Sequence, residues 1–290
     1  MGFVAMWMVI IIHFSFISGR AAGANYLIVR GALTQWAVPW FFIVSGAFAA
    51  RSLSKDSWRR VVAKKFWGLA VPYAIWMLVP MLVGIRNVNL WYLRSLISFM
   101  FLMLLFDRIL PRRWHRFLVA VGMLASAFGL NRLGVRFLIG TPTSPFYFAG
   151  RYLISELLVA HDVGRRMARH IWVIALAVVL AVGLTWTRFA LDLQGLAEMI
   201  LRNTAVVAMI VALWLIVSRL DWSTVEIPQW MRATFFVYCC HGPILTLVGR
   251  QGWSCSFGVY FFLAPLLFFA FASIVRHACP RVYAILSGGR

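Results

Sequence analysis

The chain has 290 residues, 63% of them hydrophobic and 12% charged, and a net charge of +20. Soluble domains are nearer half apolar and a quarter charged, so an ordinary soluble enzyme is excluded. The lack of any separate basic module argues against nucleic acid as the partner. Apolar runs near bilayer length, continuous rather than alternating, exclude an outer-membrane barrel and predict an all-α polytopic membrane protein.

Ten transmembrane helices are predicted, at roughly 1–18, 36–50, 66–84, 89–106, 117–130, 138–160, 171–186, 196–218, 233–249 and 257–275. They form a single transmembrane domain over 1–290, without a soluble insertion or an internal repeat. The first helix carries His13 in an otherwise apolar run. At about 1.5 Å per residue, His13 lies roughly 18 Å from the first residue, too deep to snorkel easily. An ionisable group at such depth is a functional candidate, and imidazole titrates near neutrality, as proton transfer requires. The alternative is a neutral histidine hydrogen-bonded to a neighbouring helix. The missing basic lead-in is read as a chain that begins part-way into this helix rather than as a signal peptide.

The second helix is short and contains Pro39, which leaves a tilted, broken or re-entrant segment open. Eighteen basic residues fall in loops on one side, among them Arg59, Arg60, Lys64 and Lys65, against seven on the other. The imbalance predicts that both termini are cytoplasmic. Arg94 lies about one turn inside the fourth helix, where it either snorkels outward or lines a cavity. Arg151, near the middle of the sixth, needs a partner, a water-filled cavity or a ligand. Glu198 and Arg202 are spaced as a structural i, i+4 pair. In the ninth helix His241 precedes Gly242-Pro243, a step expected to weaken the helix and free backbone carbonyls near the imidazole. The four cysteines have neither metal-ligand nor disulfide spacing. Cys239 and Cys240 are read as apolar filler, with a covalent acyl carrier the minor alternative, and no metal site is expected.

Several phrases now take on a common meaning. Ala5, Val9 and His13 fit the end of an Arg-x-x-Ala-x-x-x-Val-x-x-x-His pattern, and Pro39-Trp-Phe-Phe-Ile-Val-Ser45-Gly46-Ala-Phe follows Pro-x-Phe-Phe-x-x-Ser-Gly-Phe. Lys64-Lys65 leads into Pro72-Tyr73-Ala-Ile-Trp76, and Leu90-Trp91-Tyr92-Leu93 comes next. Pro145-Phe-Tyr-Phe-Ala-Gly150 and Thr234-Phe-Phe-Val-Tyr238-Cys-Cys-His241-Gly-Pro243 complete the set. In this order, from residue 5 to residue 243, the phrases resemble those of the acyltransferase-3 family of integral membrane O-acyltransferases. Two positions depart from its pattern: the arginine that opens the first phrase is absent, and Gly68 stands where the basic loop has an arginine.

The resemblance implies an enzyme of the bacterial inner membrane. It would move an acyl group, foremost acetyl, from cytoplasmic acyl-CoA to a hydroxyl of a glycan or lipid-linked saccharide. Acyl-CoA is then a donor substrate, and no permanently bound cofactor is implied. His13 becomes the catalytic base and His241 the second catalytic candidate. Arg59, Arg60, Lys64 and Lys65 become a phosphate-binding mouth for acyl-CoA, against the alternative of ordinary positive-inside topology. Ser45, Trp91, Tyr92, Arg94 and Arg151 become candidates for the substrate cavity, with back-bonding to its own helix the alternative for Ser45. Two rival functions are a membrane transporter, whose path the intramembrane His13, Arg94 and Arg151 would line, and a catalytically inactive relative.

Overall fold

The computed structural model describes residues 2–14, 29, 34–110, 112–129, 146, 150, 152, 167, 169–219 and 228–289. The expected sixth helix falls outside them apart from Phe146, Gly150 and Tyr152, and Arg151 is not among the described residues. All regular structure among the described residues is helical. Five helices are long and apolar enough to cross a membrane.

The elements are α1 (Gly2–Ile12), α2 (Ala37–Lys55), α3 (Trp58–Leu82), α4 (Trp91–Ile109) and α5 (Arg113–Gly129). They continue with α6 (Ile171–Ala190), α7 (Gly195–Arg219), α8 (Thr234–Arg250), α9 (Phe257–Ala278) and the short α10 (Pro280–Leu286). The chain divides into two compact units. The first comprises Met1–Arg30, Asp56–Ile97 and Glu226–Arg290, and the second Gly31–Lys55 and Ser98–Val225.

Several boundaries differ from those expected. Helix α1 stops at Ile12, where the last turn tightens: the His13 and Phe14 amides donate to Ile10 O and Ile11 O, three residues back. His13 therefore occupies the turn that ends α1 rather than the interior of a longer helix. Helix α2 runs unbroken to Lys55, because Pro39 lies in its first turn, where a missing N–H costs little. Helix α3 begins at Trp58, so Arg59, Arg60, Lys64 and Lys65 are helical rather than in a loop. Helix α6 continues to Ala190 and takes Arg188 out of the loop to which its sequence position pointed.

In the second unit, α6 and α7 form a hairpin held by Ile174 and Leu215, with Val173, Val211 and Trp214 packed around them. Arg188 is buried there; it donates to Gln35 Oε1 at 3.2 Å and pairs with Glu198 at 3.6 Å. Glu198 also pairs with Arg202 at 3.8 Å, the i, i+4 contact anticipated from their spacing. Gly150 lies against the backbone of Ile43 in α2 so closely that a Cβ would collide with the Ile43 carbonyl. That approach explains why the Pro145–Gly150 phrase must close on glycine.

In the first unit the organising feature is proline. A proline inside a helix cannot donate to the carbonyl four residues back, and an apolar surrounding provides no water for the orphan. Pro265 in α9 orphans Phe261 O, which accepts instead from Trp7 Nε1 of α1 at 2.9 Å. Pro80 in α3 orphans Trp76 O, and Pro243 in α8 orphans Cys239 O. Both of these carbonyls accept from the single amide nitrogen of Asn87, at 3.2 and 3.1 Å. Pro72 is accommodated differently: the preceding turn, Phe66–Ala70, widens to π geometry, and the Val71 amide reaches back five residues to Phe66 O.

The C-terminal end closes against this π turn. The Trp76 indole donates to Leu286 O at 3.1 Å, and Tyr283 stacks on Phe236 with ring centroids 5.1 Å apart. Gly288, at φ +68°, lies on the Gly68 backbone, where a Cβ would strike it. Glycine at 288 is thus required twice, by its left-handed backbone and by the close approach.

Two stability predictions follow from these contacts. Trp7→Phe leaves Phe261 O without its side-chain donor and should cost about 1–3 kcal/mol; adding Pro265→Ala restores a local N–H and should recover most of it. Unfolding of the purified protein in detergent tests both, and a Trp7→Phe variant as stable as wild type would sink the account. Gly150→Ala should destabilise by about 1–3 kcal/mol through overpacking. Gly183→Ala, in open space on α6, should be neutral or stabilising.

Candidate functional site

The site is built from the end of α1, the middle of α8 and the turn between α3 and α4. Helix α1 is apolar all round and buries Ala5, Met6, Val9, Ile10 and Ile11. Ala5, Val9 and His13 recur every four residues and so share a face. The end of α1 is fixed by Tyr260 of α9, whose hydroxyl donates to Ile10 O at 2.8 Å, and by Phe14, packed between Phe257 and Tyr260. His13, half-buried in the turn just beyond, is thereby placed with its ring centroid 5.1 Å from that of His241. Two histidines separated by most of the sequence meet ring to ring.

His241 is fully buried, and its orientation is set by its own helix. Its Nδ1 lies 2.7 Å from Tyr238 O and 3.2 Å from Val237 O. A carbonyl only accepts, so Nδ1 must carry the proton. Nε2 then holds the lone pair, and no hydrogen-bond partner for it occurs among the described residues. Around the imidazole stand the rings of Tyr238, 5.8 Å away, and Phe268, 6.4 Å away. An imidazole so held is a neutral base or hydrogen-bond acceptor with one reactive nitrogen of fixed identity.

The turn carrying Asn87 and Asn89, both buried, closes one side of α8. Asn87 supplies the amide that satisfies Cys239 O, and Tyr238 donates its hydroxyl to Asn89 O. A Cβ on Gly242 would collide with the Asn89 amide and stand 3.0 Å from Asn87 Oδ1. Gly242 is therefore what lets the asparagine turn reach α8, and α8 runs through Gly242-Pro243 without a break. Tyr92, also buried, packs edge-to-face on Tyr238 at 5.4 Å, and half-buried Trp91 stands edge-to-face to Tyr92 at 6.4 Å.

Arg94, by contrast, is exposed on the first turn of α4. Ser45 is half-buried on α2, in the second unit. Arg151 lies outside the described residues. Cys239 and Cys240 are buried thiols, and the Cys240 sulfur contacts Val237 O.

The basic segment forms a separate feature of the first unit. Asp56, just before α3, accepts from Lys64 Nζ at 2.7 Å and from Arg60 at 3.3 Å. The Lys64 hydrogen bond, assisted by Arg60, holds the Asp56 carboxyl below its usual range, so it stays an anion at neutral pH. The guanidinium of Arg59 lies 5.6 Å from the Trp58 ring centroid, and Lys65 is half-buried. Two of the four cations thus share one carboxylate, and the segment keeps a net positive charge.

Sequence reasoning missed Asn87, Asn89, Tyr260 and Asp56, and named Tyr238 only as part of a phrase. The two asparagines had a legible signal: polar amides two apart, in the turn that follows a helix with an internal proline. Asp56 is one of only eight acidic residues in the chain and stands eight before Lys64.

No curated protein and no solved structure matches the chain. The profile of the acyltransferase domain named acyltransferase-3 matches residues 3–278, from α1 to the end of α9, and takes in both histidines. With essentially its whole length matched, the chain belongs to the acyltransferase-3 family.

Proposed function

We propose that the protein is a multi-pass enzyme of the bacterial inner membrane that transfers an acyl group, foremost acetyl, from cytoplasmic acyl-CoA to a saccharide hydroxyl. The saccharide is one displayed at the cell surface or secreted. The observation that carries this reading is the contact between His13 and the tautomer-fixed His241. About ten spans and two cytoplasmic termini belong to the same proposal, supported by the excess of basic residues on one side.

In this reading His13 accepts the proton of the acceptor hydroxyl as its oxygen attacks the thioester carbon. The new C–O bond forms, the C–S bond breaks, and the proton passes to the leaving thiolate to give free CoA. His241 Nε2, with its lone pair directed by the bonds at Nδ1, steadies the His13 ring or the hydroxyl in the tautomer that transfer requires. Pairing two neutral imidazoles avoids burying an anion among apolar side chains. The phosphates of CoA are assigned to Arg59, Arg60, Lys64 and Lys65, where guanidinium forks chelate and ammonium groups add point charge. Trp91, Tyr92 and Arg94 are assigned to the substrate cavity on the side of the asparagine turn, and Ser45 and Arg151 keep the same assignment from the family phrases alone.

Surface-glycan acylation measured by mass spectrometry tests the proposal. Cells lacking the protein should lose an acyl group that wild type restores. His13→Ala and His241→Ala, at matched membrane levels, should restore it about 10²- to 10⁴-fold less efficiently, the range of general acid–base catalysis. No acyl change on deletion would sink the function, and full restoration by His13→Ala would remove the base.

The basic segment yields a second expectation. Asp56→Asn releases Lys64 and Arg60 and should lower the KM for acetyl-CoA roughly two- to fivefold at low salt, less at high salt. Lys64→Ala should raise it. A KM that rises in Asp56→Asn would show that the carboxylate positions the cations rather than competing for them.

A further inference from the structure

Asn87 makes two bonds that no other side chain in the described structure makes together. One Nδ2 group reaches Trp76 O of α3 at 3.2 Å and Cys239 O of α8 at 3.1 Å. Each carbonyl lies four residues before a proline, Pro80 and Pro243 respectively, and so has lost its helical donor. The amide orientation follows from these partners, since only the NH₂ end can serve two carbonyls. Asn87 Oδ1 is consequently fixed facing Gly242, the residue after His241, and has no donor among the described residues. The side chain is almost wholly buried.

Two prolines have each opened a helix at one carbonyl, and a single side chain ties the two openings together. The tie lies two residues from His241, on the helix that aims its imidazole at His13. Stability alone does not call for such an arrangement, because a residue with an N–H at 80 and at 243 would satisfy both carbonyls within their own helices. What local repair would not supply is the cross-link.

We propose that Asn87 is a positioning residue for His241: by joining the two proline-vacated carbonyls it fixes the segment of α8 that carries the imidazole against the α3–α4 turn. It touches neither histidine and acts through the α8 backbone. The proposal rests on the acyl-transfer reading only for its kinetic readout.

The experiment compares four forms of the full chain in nanodiscs: wild type, Asn87→Leu, Pro80→Ala/Pro243→Ala, and the triple combination of all three changes. Three properties are read: thermal unfolding, the ¹⁵N signals of labelled histidines with His241 assigned through His241→Gln, and thiol release from acetyl-CoA. Wild type should show His241 with a protonated Nδ1 and a bare Nε2. Asn87→Leu should unfold at lower temperature and show displaced His241 nitrogen signals, the ring keeping its Nδ1 proton on the α8 carbonyls but leaving its place against His13. The triple variant should regain the wild-type unfolding temperature, since both carbonyls again have local donors. It should still show displaced His241 signals and at least a tenfold lower kcat, with the KM for acetyl-CoA unchanged.

Recovery of the His241 signals and kcat together with stability in the triple variant would overturn the proposal, because Asn87 would then be only a patch for two carbonyls. Unchanged His241 signals in Asn87→Leu would overturn it as well. Should Asn87→Leu not fold, the triple variant decides alone. Thiol release absent from wild type would count against acyl transfer, and the nitrogen signals would still decide the role of Asn87.

Discussion

The first unit depends on one constraint: a backbone carbonyl in an apolar interior must find a donor. Proline removes the usual one, and α3, α8 and α9 each carry a proline in their interior. The carbonyls orphaned by Pro80, Pro243 and Pro265 acquire donors from elsewhere, Asn87 for two and Trp7 for the third. Left alone, each would cost about 1–3 kcal/mol, a large fraction of a domain's net stability. The prolines therefore do more than bend helices. Each of these three turns an internal hydrogen bond into one between segments, and the contacts so created join α1 to α9 and, through Asn87, α8 to α3.

The histidine pair is a product of that exchange. Trp7 ties α1 to α9, Tyr260 returns a bond from α9 to the end of α1, and His13 follows within three residues. On the other side Asn87 and Gly242 seat the asparagine turn on α8 beside His241. Side chains from three segments thus fix two rings, although His13 and His241 are more than two hundred residues apart in sequence. Positioning of this kind matters because near-attack geometry contributes much of the rate in group transfer.

The all-helical class, the rough positions of the described helices and the family were legible in the sequence, because each is written in local pattern: apolar runs of bilayer length, and short phrases in a fixed order. His13 and His241 stood out for the same reason, as ionisable groups in apolar runs. Helix ends were less legible. Helix α1 stops at Ile12 inside an apolar stretch that gives no stop signal, and α6 extends through Arg188 because that charge is buried against Glu198 and Gln35, a tertiary fact. Asn87 was missed because nothing in its neighbours says which distant carbonyl will lack a donor, and Tyr260 because its bond to Ile10 O is a tertiary contact. The prolines do carry that information: counting back four residues from each names Trp76, Cys239 and Phe261.

The chemistry of the site suits a chain with so few acids. A buried carboxylate beside the imidazoles would need its own cation or several donors to be tolerated. His241 is oriented instead by neutral carbonyls of its own helix, Val237 O and Tyr238 O, which hold its Nδ1 proton and leave Nε2 bare. Backbone carbonyls do not titrate, so they impose this tautomer at every pH at which the ring is neutral. A carboxylate would also have favoured the imidazolium and raised the proton affinity of the ring. Carbonyl orientation fixes the direction of the Nε2 lone pair without adding a charge, which suits the steadying role proposed for His241.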